Sequence, residues 1–142
     1  MMDRSMEGAR QILLARSRSC AEPKAVLVVE DDDDLREMVL DVLWSHGYAA
    51  TGAENGSDAL AQLRAAPIKP RCVLLDLFMP VMDGFGFLAA QAGDATIADV
   101  PVIVMSAAPM VEGAAAAHAW THTLRKPMEL RELLDAVRGA CE

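Results

Sequence analysis

The chain has 142 residues, a length that suits one domain of ordinary size with a sizeable core. Hydrophobic residues make up 53% of the chain and aromatic residues only 4%, so the core is expected to be aliphatic. The net charge is −8, whereas a protein that binds the phosphate backbone of a nucleic acid needs clustered Lys and Arg. Nucleic acid is therefore not expected as a direct partner.

The three cysteines, Cys20, Cys72 and Cys141, are far apart in the sequence and match no zinc-binding spacing. Cys72 lies in an apolar run, where a free thiol usually acts as a small hydrophobic side chain. These features favour a reducing, cytoplasmic setting. Apolar stretches are all well short of the roughly 20 residues that a membrane helix requires, so no membrane association is expected.

Residues 1–23 are rich in Arg, Ser and Met and end at Pro23, and we predict that they form a mobile arm. Residues 24–142 are predicted to form one domain in which strands and helices alternate. Because the chain stops soon after its last predicted helix, no DNA-binding or catalytic output domain is expected within it.

The first half of this domain begins with Ala25–Glu30, a continuous β-branched run typical of a strand covered on both faces. A helix is predicted next from an apolar stripe at intervals of three and four, with Gly47 as its C-terminal stop. Tyr48–Ala53 predicts a weaker strand near the edge. Asn55-Gly56 indicates a turn, and Ser57 is the predicted N-cap of a second helix. The stripe of the first helix is Leu35, Met38, Val39, Val42 and Leu43.

The second half continues the alternation. Strands are predicted at Cys72–Leu75, at Val102–Met105 and before Lys126, and helices at 85–91, at 111–117 and at the C-terminal end. The last helix is expected to present Leu130, Leu133, Leu134 and Val137 on one side. Five such units predict an α/β fold, a doubly wound five-stranded parallel sheet with helices on both faces.

Polar side chains follow the buried strands of this predicted sheet. Glu30 and Asp31 follow the first strand, Asp76 the third, Ser106 the fourth and Lys126 the fifth. Because the carboxyl ends of parallel strands share one edge, these groups are expected to converge there. Three close carboxylates repel one another, and Mg²⁺, which prefers oxygen ligands, relieves that repulsion.

A nucleophilic role for Asp76 follows, in which its carboxylate attacks phosphorus to give an aspartyl phosphate. Lys126 and the metal would stabilise the charge on the transferring group, and Ser106 would donate a hydrogen bond to it.

This pattern resembles the receiver domain of two-component response regulators, through four segments in order: VLVVEDD (26–32), LLDLFMPVMDGF (74–85), PVIVMSA (101–107) and LRKP (124–127). The resemblance implies a flavodoxin-like fold and a metal site of Glu30, Asp31, Asp76 and the backbone carbonyl of Phe78. It also implies a cis bond between Lys126 and Pro127 and a switch hydroxyl on Ser106. The expected function is a stand-alone signalling module rather than an enzyme acting on other substrates. Its implied partners are a histidine kinase or phosphotransfer protein as donor and a downstream protein target.

Two departures from the family pattern lie near the last strand. Thr123 occupies the position, three residues before the lysine, where the family usually carries an aromatic switch residue, and Trp120 replaces a small residue. We therefore expect a read-out that depends on shifts around residues 109–120. Phe78 and Ala108 offer no polar group to orient an attacking water, which predicts a long-lived aspartyl phosphate.

Two alternatives remain open. A receiver-like module could bind its partner without phosphorylation. A magnesium-dependent phosphohydrolase also uses an aspartate nucleophile, but such enzymes typically place a second carboxylate two residues later, where this chain has Phe78.

Overall fold

The computed structural model describes residues 24–107 and 122–141 and shows five strands and four helices in that part of the chain. The predicted arm, the predicted helix at 111–117, and residues Ala108 and Trp120 lie outside the described residues. None of the described helices is long and apolar enough to cross a membrane. The strands are β1 (Ala25–Val29), β2 (Ala49–Ala53), β3 (Cys72–Asp76), β4 (Val102–Ser106) and β5 (His122–Arg125). The helices are α1 (Asp33–Ser45), α2 (Gly56–Ala65), α3 (Gly84–Ala92) and α4 (Leu130–Cys141).

All neighbouring strands pair in parallel, in the order β2-β1-β3-β4-β5. The registers align the carboxyl ends of the strands, with Val29 opposite Leu75, Asp76 opposite Met105 and Ser106 opposite Arg125. The predicted doubly wound sheet is confirmed, and so is the edge position of the second strand. This alignment brings the residues that follow each strand to one edge of the sheet.

The core lies in two layers, one on each face of the sheet. Helices α2 and α3 pack on one face, where Leu63 and Phe87 are fully buried. Helices α1 and α4 pack on the other face, where Leu43 and Val137 are fully buried. Strands β3 and β4 are buried along their whole length, which explains why their sequences are continuously apolar instead of alternating.

The predicted apolar stripes of the first and last helices are wrong at one position each. Val39 and Leu43 are buried in α1, but Met38 is 51% exposed. Leu133 and Val137 are buried in α4, but Leu130, the first residue of that helix, is also 51% exposed. Both residues lie at the margin of the buried face, so a spacing of three or four residues alone does not decide their burial.

Helix ends follow local rules, with one correction. Gly47 follows α1 with φ +89°, a left-handed conformation that costs glycine little, and the predicted stop is confirmed. The predicted N-cap at Ser57 is wrong. Asn55 caps α2 instead, since its side chain accepts from the backbone N–H of Asp58 at 2.8 Å. The helix already begins at Gly56, so the capping side chain must come one residue before it.

Candidate functional site

Glu30 lies directly after β1, with only 1% of its surface exposed. Its backbone N–H donates to the carbonyl of Ala53 at 3.0 Å, which continues the pairing with β2. The guanidinium of Arg36, one turn into α1, donates to the carbonyl of Glu30 at 2.7 Å. The backbone N–H of Asp32 donates to Oε2 of Glu30 at 3.2 Å. These contacts hold a buried carboxylate in place, and Asp31 beside it is exposed at the rim.

Asp76 is the last residue of β3 and is 5% exposed. The loop that follows turns back onto it, because the backbone N–H of Phe78 donates to Oδ1 of Asp76 at 3.4 Å. Gly84 then begins α3 and donates its N–H to the carbonyl of Leu77 at 2.8 Å. A Cβ on Gly84 would lie 2.7 Å from the backbone oxygen of Asp76, so the close approach of α3 to this loop requires glycine.

Lys126 reaches the same edge from the other end of the site. Its ammonium donates to Oε1 of Glu30 at 2.7 Å and lies 3.5 Å from Oδ1 of Asp76. The side chain of Lys126 is 20% exposed, whereas those of Glu30 and Asp76 are 2% and 7% exposed. One partly exposed cation therefore bridges two buried carboxylates.

The surroundings of Asp76 raise the pKa of its carboxyl group to near neutral pH. Burial raises the pKa of Asp76, and the negative charge of Glu30 raises it further, to about 7. Lys126 and the N–H of Phe78 act in the opposite direction, because both favour the charged carboxylate. The pKa of Asp76 is raised overall because one ammonium, shared with Glu30, does not compensate for two buried carboxylates.

The carboxylates form a group that suits a divalent cation. Glu30, Asp31 and Asp76 each place a carboxylate oxygen within 4.8 Å of the others. All three are hard oxygen ligands, as Mg²⁺ prefers, and the single ammonium of Lys126 contacts only Glu30 and Asp76 among them. The donor set and the charge deficit therefore both fit a bound cation of this kind.

Ser106 ends β4 with 1% of its surface exposed, so a hydroxyl lies buried at this edge. Its carbonyl accepts from the backbone N–H of Lys126 at 3.0 Å, which ties the ends of β4 and β5 together. The bond from Lys126 to Pro127 is cis, as predicted. The predicted site residues Glu30, Asp31, Asp76, Ser106 and Lys126 thus all reach one edge of the sheet.

Two further positions are informative. The side chain of Phe78 is 52% exposed and packs edge-to-ring against Phe85, with ring centroids 6.0 Å apart. The residue two positions after Asp76 therefore presents an apolar ring rather than a carboxylate. Thr123 lies within β5, opposite Val104, and is partly buried. The small β-branched side chain is thus part of the sheet edge itself.

Sequence reasoning missed two of the contacts that shape the site. It assigned Lys126 to a phosphoryl group and Glu30 to a metal, but did not anticipate that the two would pair. It also overlooked Arg36, whose side chain reaches back over the end of β1. The position of Arg36 could have indicated this contact, because a basic residue near the start of a helix can reach a backbone carbonyl that lies just before the helix.

Comparisons with known proteins agree with this geometry. The family model described as the response regulator receiver domain matches residues 26–138. Among curated proteins, the response regulator MprA of Mycolicibacterium vanbaalenii is 35% identical over 121 residues, which cover 82% of this chain and 50% of MprA. The chain spans between 25% and 65% of the length of the first four curated relatives.

Solved structures give the same result. The chemotaxis response regulator CheY4 of Vibrio cholerae is similar, with a TM-score of 0.76 and 28% identity, over 83% of this chain and 98% of that one. The response regulator TrrA of Thermotoga maritima, solved in complex with Mg²⁺ and BeF, has a TM-score of 0.73 and 26% identity, over 82% of this chain and 98% of that one.

Proposed function

Because this chain belongs to the response regulator receiver domain family, we propose that it accepts a phosphoryl group on Asp76 and passes the signal on by protein contact. The observation that carries the proposal is the convergence of Asp76, Asp31, Glu30 and Lys126 at one sheet edge. No single strand end would carry this chemistry, but the group together offers a nucleophile, a cation site and a phosphate partner.

Asp76 is the nucleophile in this proposal. One of its carboxylate oxygens attacks the phosphorus of a donor, a new O–P bond forms, and the bond from phosphorus to the donor breaks. The donor group leaves with the electron pair of that bond. A raised pKa favours a more basic, more nucleophilic carboxylate, and a bound cation would keep that carboxylate ionised at neutral pH.

Glu30, Asp31, Asp76 and the backbone carbonyl of Phe78 would hold Mg²⁺. The proposal is supported by the group of three carboxylates and by the relative TrrA, which is described in complex with Mg²⁺ and BeF. The ion supplies positive charge for the oxygens of the transferring phosphoryl group. The fourth ligand, the backbone carbonyl of Phe78, is proposed from the resemblance to the family.

Lys126 and Ser106 would contact the transferred group. The ammonium already lies 3.5 Å from Oδ1 of Asp76, close enough to reach an oxygen attached to it. Ser106 is buried at the neighbouring strand end, so its hydroxyl can donate to a second oxygen. Lys126 therefore needs no long movement to take up this role.

Receiver domains take their phosphoryl group from histidine kinases or phosphotransfer proteins and act on downstream targets. For this chain we propose a stand-alone, cytoplasmic module that signals to a separate protein. The similarity to nearly all of CheY4 supports a module of this size. The net charge of −8 disfavours nucleic acid as the direct target.

The test is incubation of the purified protein with Mg²⁺ and acetyl phosphate, followed by intact-mass measurement. We expect a gain of one phosphoryl group in the wild type and none in Asp76→Asn. A chelator should abolish the gain. If the folded wild type binds Mg²⁺ but is never modified, the proposal is wrong and a binding module that works without phosphorylation is the better description.

A further inference from the structure

Two cysteines that are distant in the sequence meet in the core. Cys72 is the first residue of β3, and Cys141 is the last residue of α4. Their exposed fractions are 0% and 1%, and both belong to the layer of the core that lies between the sheet and the helices α1 and α4. The two thiols are close enough for each to shift the pKa of the other. The described residues thus contain a buried dithiol.

Arg71 ties the two cysteine-bearing segments together. Its guanidinium donates to the carbonyl of Cys141 at 3.0 Å, and its backbone N–H donates to the carbonyl of Ala25 at 2.8 Å. The end of α4 is therefore attached to the start of β3, beside β1. The pairing of the thiols is a built feature of this end of the sheet, because a separate polar contact holds their backbones in place.

The surroundings shift the pKa values of the two thiols in opposite directions. The hydrogen bond with Cys72, together with the positive charges of Lys24 and Arg71, lowers the pKa of Cys141 to about 7. The same hydrogen bond and burial raise the pKa of Cys72. Because the thiolate is the reactive form of cysteine, Cys141 is suited to react first.

We propose that Cys72 and Cys141 form a reversible disulfide when the protein meets a peroxide, and that this bond locks the end of α4 to β3. The inference concerns the opposite end of the sheet from Asp76 and does not depend on phosphorylation. It would make the position of α4 sensitive to oxidants.

The reaction balances in two steps. The Cys141 thiolate attacks one oxygen of hydrogen peroxide, the O–O bond breaks, and hydroxide leaves, so Cys141 becomes a sulfenic acid. The sulfur of Cys72 then attacks the Cys141 sulfur, the S–O bond breaks, and the S–S bond forms. The thiol proton of Cys72 and one further proton convert the two departing hydroxides to water. Two thiols are oxidised and one peroxide is reduced to two waters.

Access to the buried pair requires local opening at the end of α4. The last turn of a helix lacks intrahelical partners for its carbonyls and opens more readily than the middle of the helix. Cys141 is in that last turn, where its carbonyl accepts a hydrogen bond from Arg71. Oxidation should therefore proceed from brief fraying of this turn, without global unfolding.

The test uses the full chain with Cys20→Ser, so that the third cysteine cannot take part. This protein is treated with a small excess of hydrogen peroxide, unfolded, alkylated and digested, with Cys72→Ala and Cys141→Ala variants in parallel. We expect a peptide cross-linked through Cys72 and Cys141, a mass loss of about 2 Da from two hydrogens, and full reversal by dithiothreitol. The melting temperature should rise by about 5 °C or more on oxidation.

The single-cysteine variants should show no cross-link and no rise in melting temperature, with circular dichroism confirming that they are folded. The cross-linked peptide in the Cys20→Ser protein decides the matter even if a variant folds poorly. If both Cys72 and Cys141 remain free thiols after peroxide treatment, the proposal is overturned. Irreversible oxidation of Cys141 with Cys72 still free, or a disulfide only between molecules, would also overturn it.

Discussion

The ammonium of Lys126 lies 2.7 Å from Oε1 of Glu30, closer than the 3.5 Å that separates it from Oδ1 of Asp76. In this structure the lysine is thus held mainly by Glu30. An ammonium has three donors, so it can keep this contact and still offer a hydrogen to an oxygen on Asp76. Glu30 therefore does two things at once, since it orients the cation and adds negative charge to the carboxylate cluster.

Replacing Lys126 should separate metal binding from phosphorylation. Lys126→Met removes the cation that bridges two buried carboxylates, so the metal-free protein should lose about 1 to 3 kcal/mol of unfolding free energy. The more negative site should bind Mg²⁺ more tightly, whereas phosphorylation by acetyl phosphate should slow by at least about 100-fold. Calorimetry and intact-mass time courses measure the two effects.

The matched control is Arg125→Met, which removes an exposed neighbouring cation from β5. This variant should change neither the Mg²⁺ affinity nor the phosphorylation rate by more than a small factor. Weaker Mg²⁺ binding in Lys126→Met would contradict the view that the ammonium and the metal compete for the same carboxylates.

Removing the charge of Glu30 should lower the pKa of Asp76. Glu30→Gln keeps the shape of the side chain but removes the negative charge that raises the pKa of Asp76, so that pKa should fall. Mg²⁺ affinity should also fall, by about tenfold, because one anionic oxygen is lost from the group. Carbon-detected NMR titration of the Asp76 carboxyl and Mg²⁺ calorimetry report the two changes. An unchanged pKa would show that the charge of Glu30 does not raise it, and a higher pKa would contradict the role assigned to that charge.

Stability should depend on pH through Asp76. The folded pKa of about 7 lies above the unfolded value, so the native state holds its proton more tightly. The stabilising contribution of protonated Asp76 is complete below about pH 4 and is lost as the pH rises through about 7. In a chelator at pH 8, Asp76→Asn should therefore be more stable than the wild type by about 2 kcal/mol, with a smaller gain at pH 5.

Urea unfolding at the two pH values, with and without Mg²⁺, measures this difference. Mg²⁺ should stabilise the wild type and reduce or reverse the advantage of Asp76→Asn. The control Asp99→Asn removes an exposed carboxylate and should show no such pH-dependent gain. Equal stability of Asp76→Asn and the wild type at pH 8 without metal would mean that the buried charge costs little.

Glycine at position 84 should be required for the loop that carries Asp76. A Cβ there would meet the backbone oxygen of Asp76 and the Cα of Leu77, both at 2.7 Å, and backbone atoms cannot move aside easily. Gly84→Ala should therefore cost about 2 kcal/mol and slow phosphorylation. Gly139→Ala in α4, where a Cβ meets nothing within 4 Å, should instead stabilise the protein by about 0.5 to 1 kcal/mol. Urea unfolding of both variants is the measurement, and a neutral Gly84→Ala would show that α3 can shift.

The fold could be predicted well because its signals are local. Continuous β-branched runs identify buried strands, and Gly47 marks the end of a helix by its left-handed conformation. The prediction failed at Ser57 for a local reason and at Met38 for a tertiary one. Two polar residues near a helix start compete for the cap, and a residue at the margin of an apolar stripe is buried only if a neighbour covers it.

The candidate site was predicted as a set of residues but not as an arrangement. The order of the strands and their shared direction place Glu30, Asp76, Ser106 and Lys126 at one edge, and the rule that parallel strands end together was enough to infer this. The pairing of Lys126 with Glu30 and the raised pKa of Asp76 depend on distances and burial, which side-chain packing decides.

The sequence by itself determined the order of strands and helices, the aliphatic core and the residue types that gather at the strand ends, because these depend on periodicity and chain direction. Only the tertiary structure decided which distant groups touch. Cys72 and Cys141 give no signal in the sequence, yet the packing of α4 across the start of β3 brings their thiols together. Such contacts depend on how helices lie on the sheet, and no local pattern records that position.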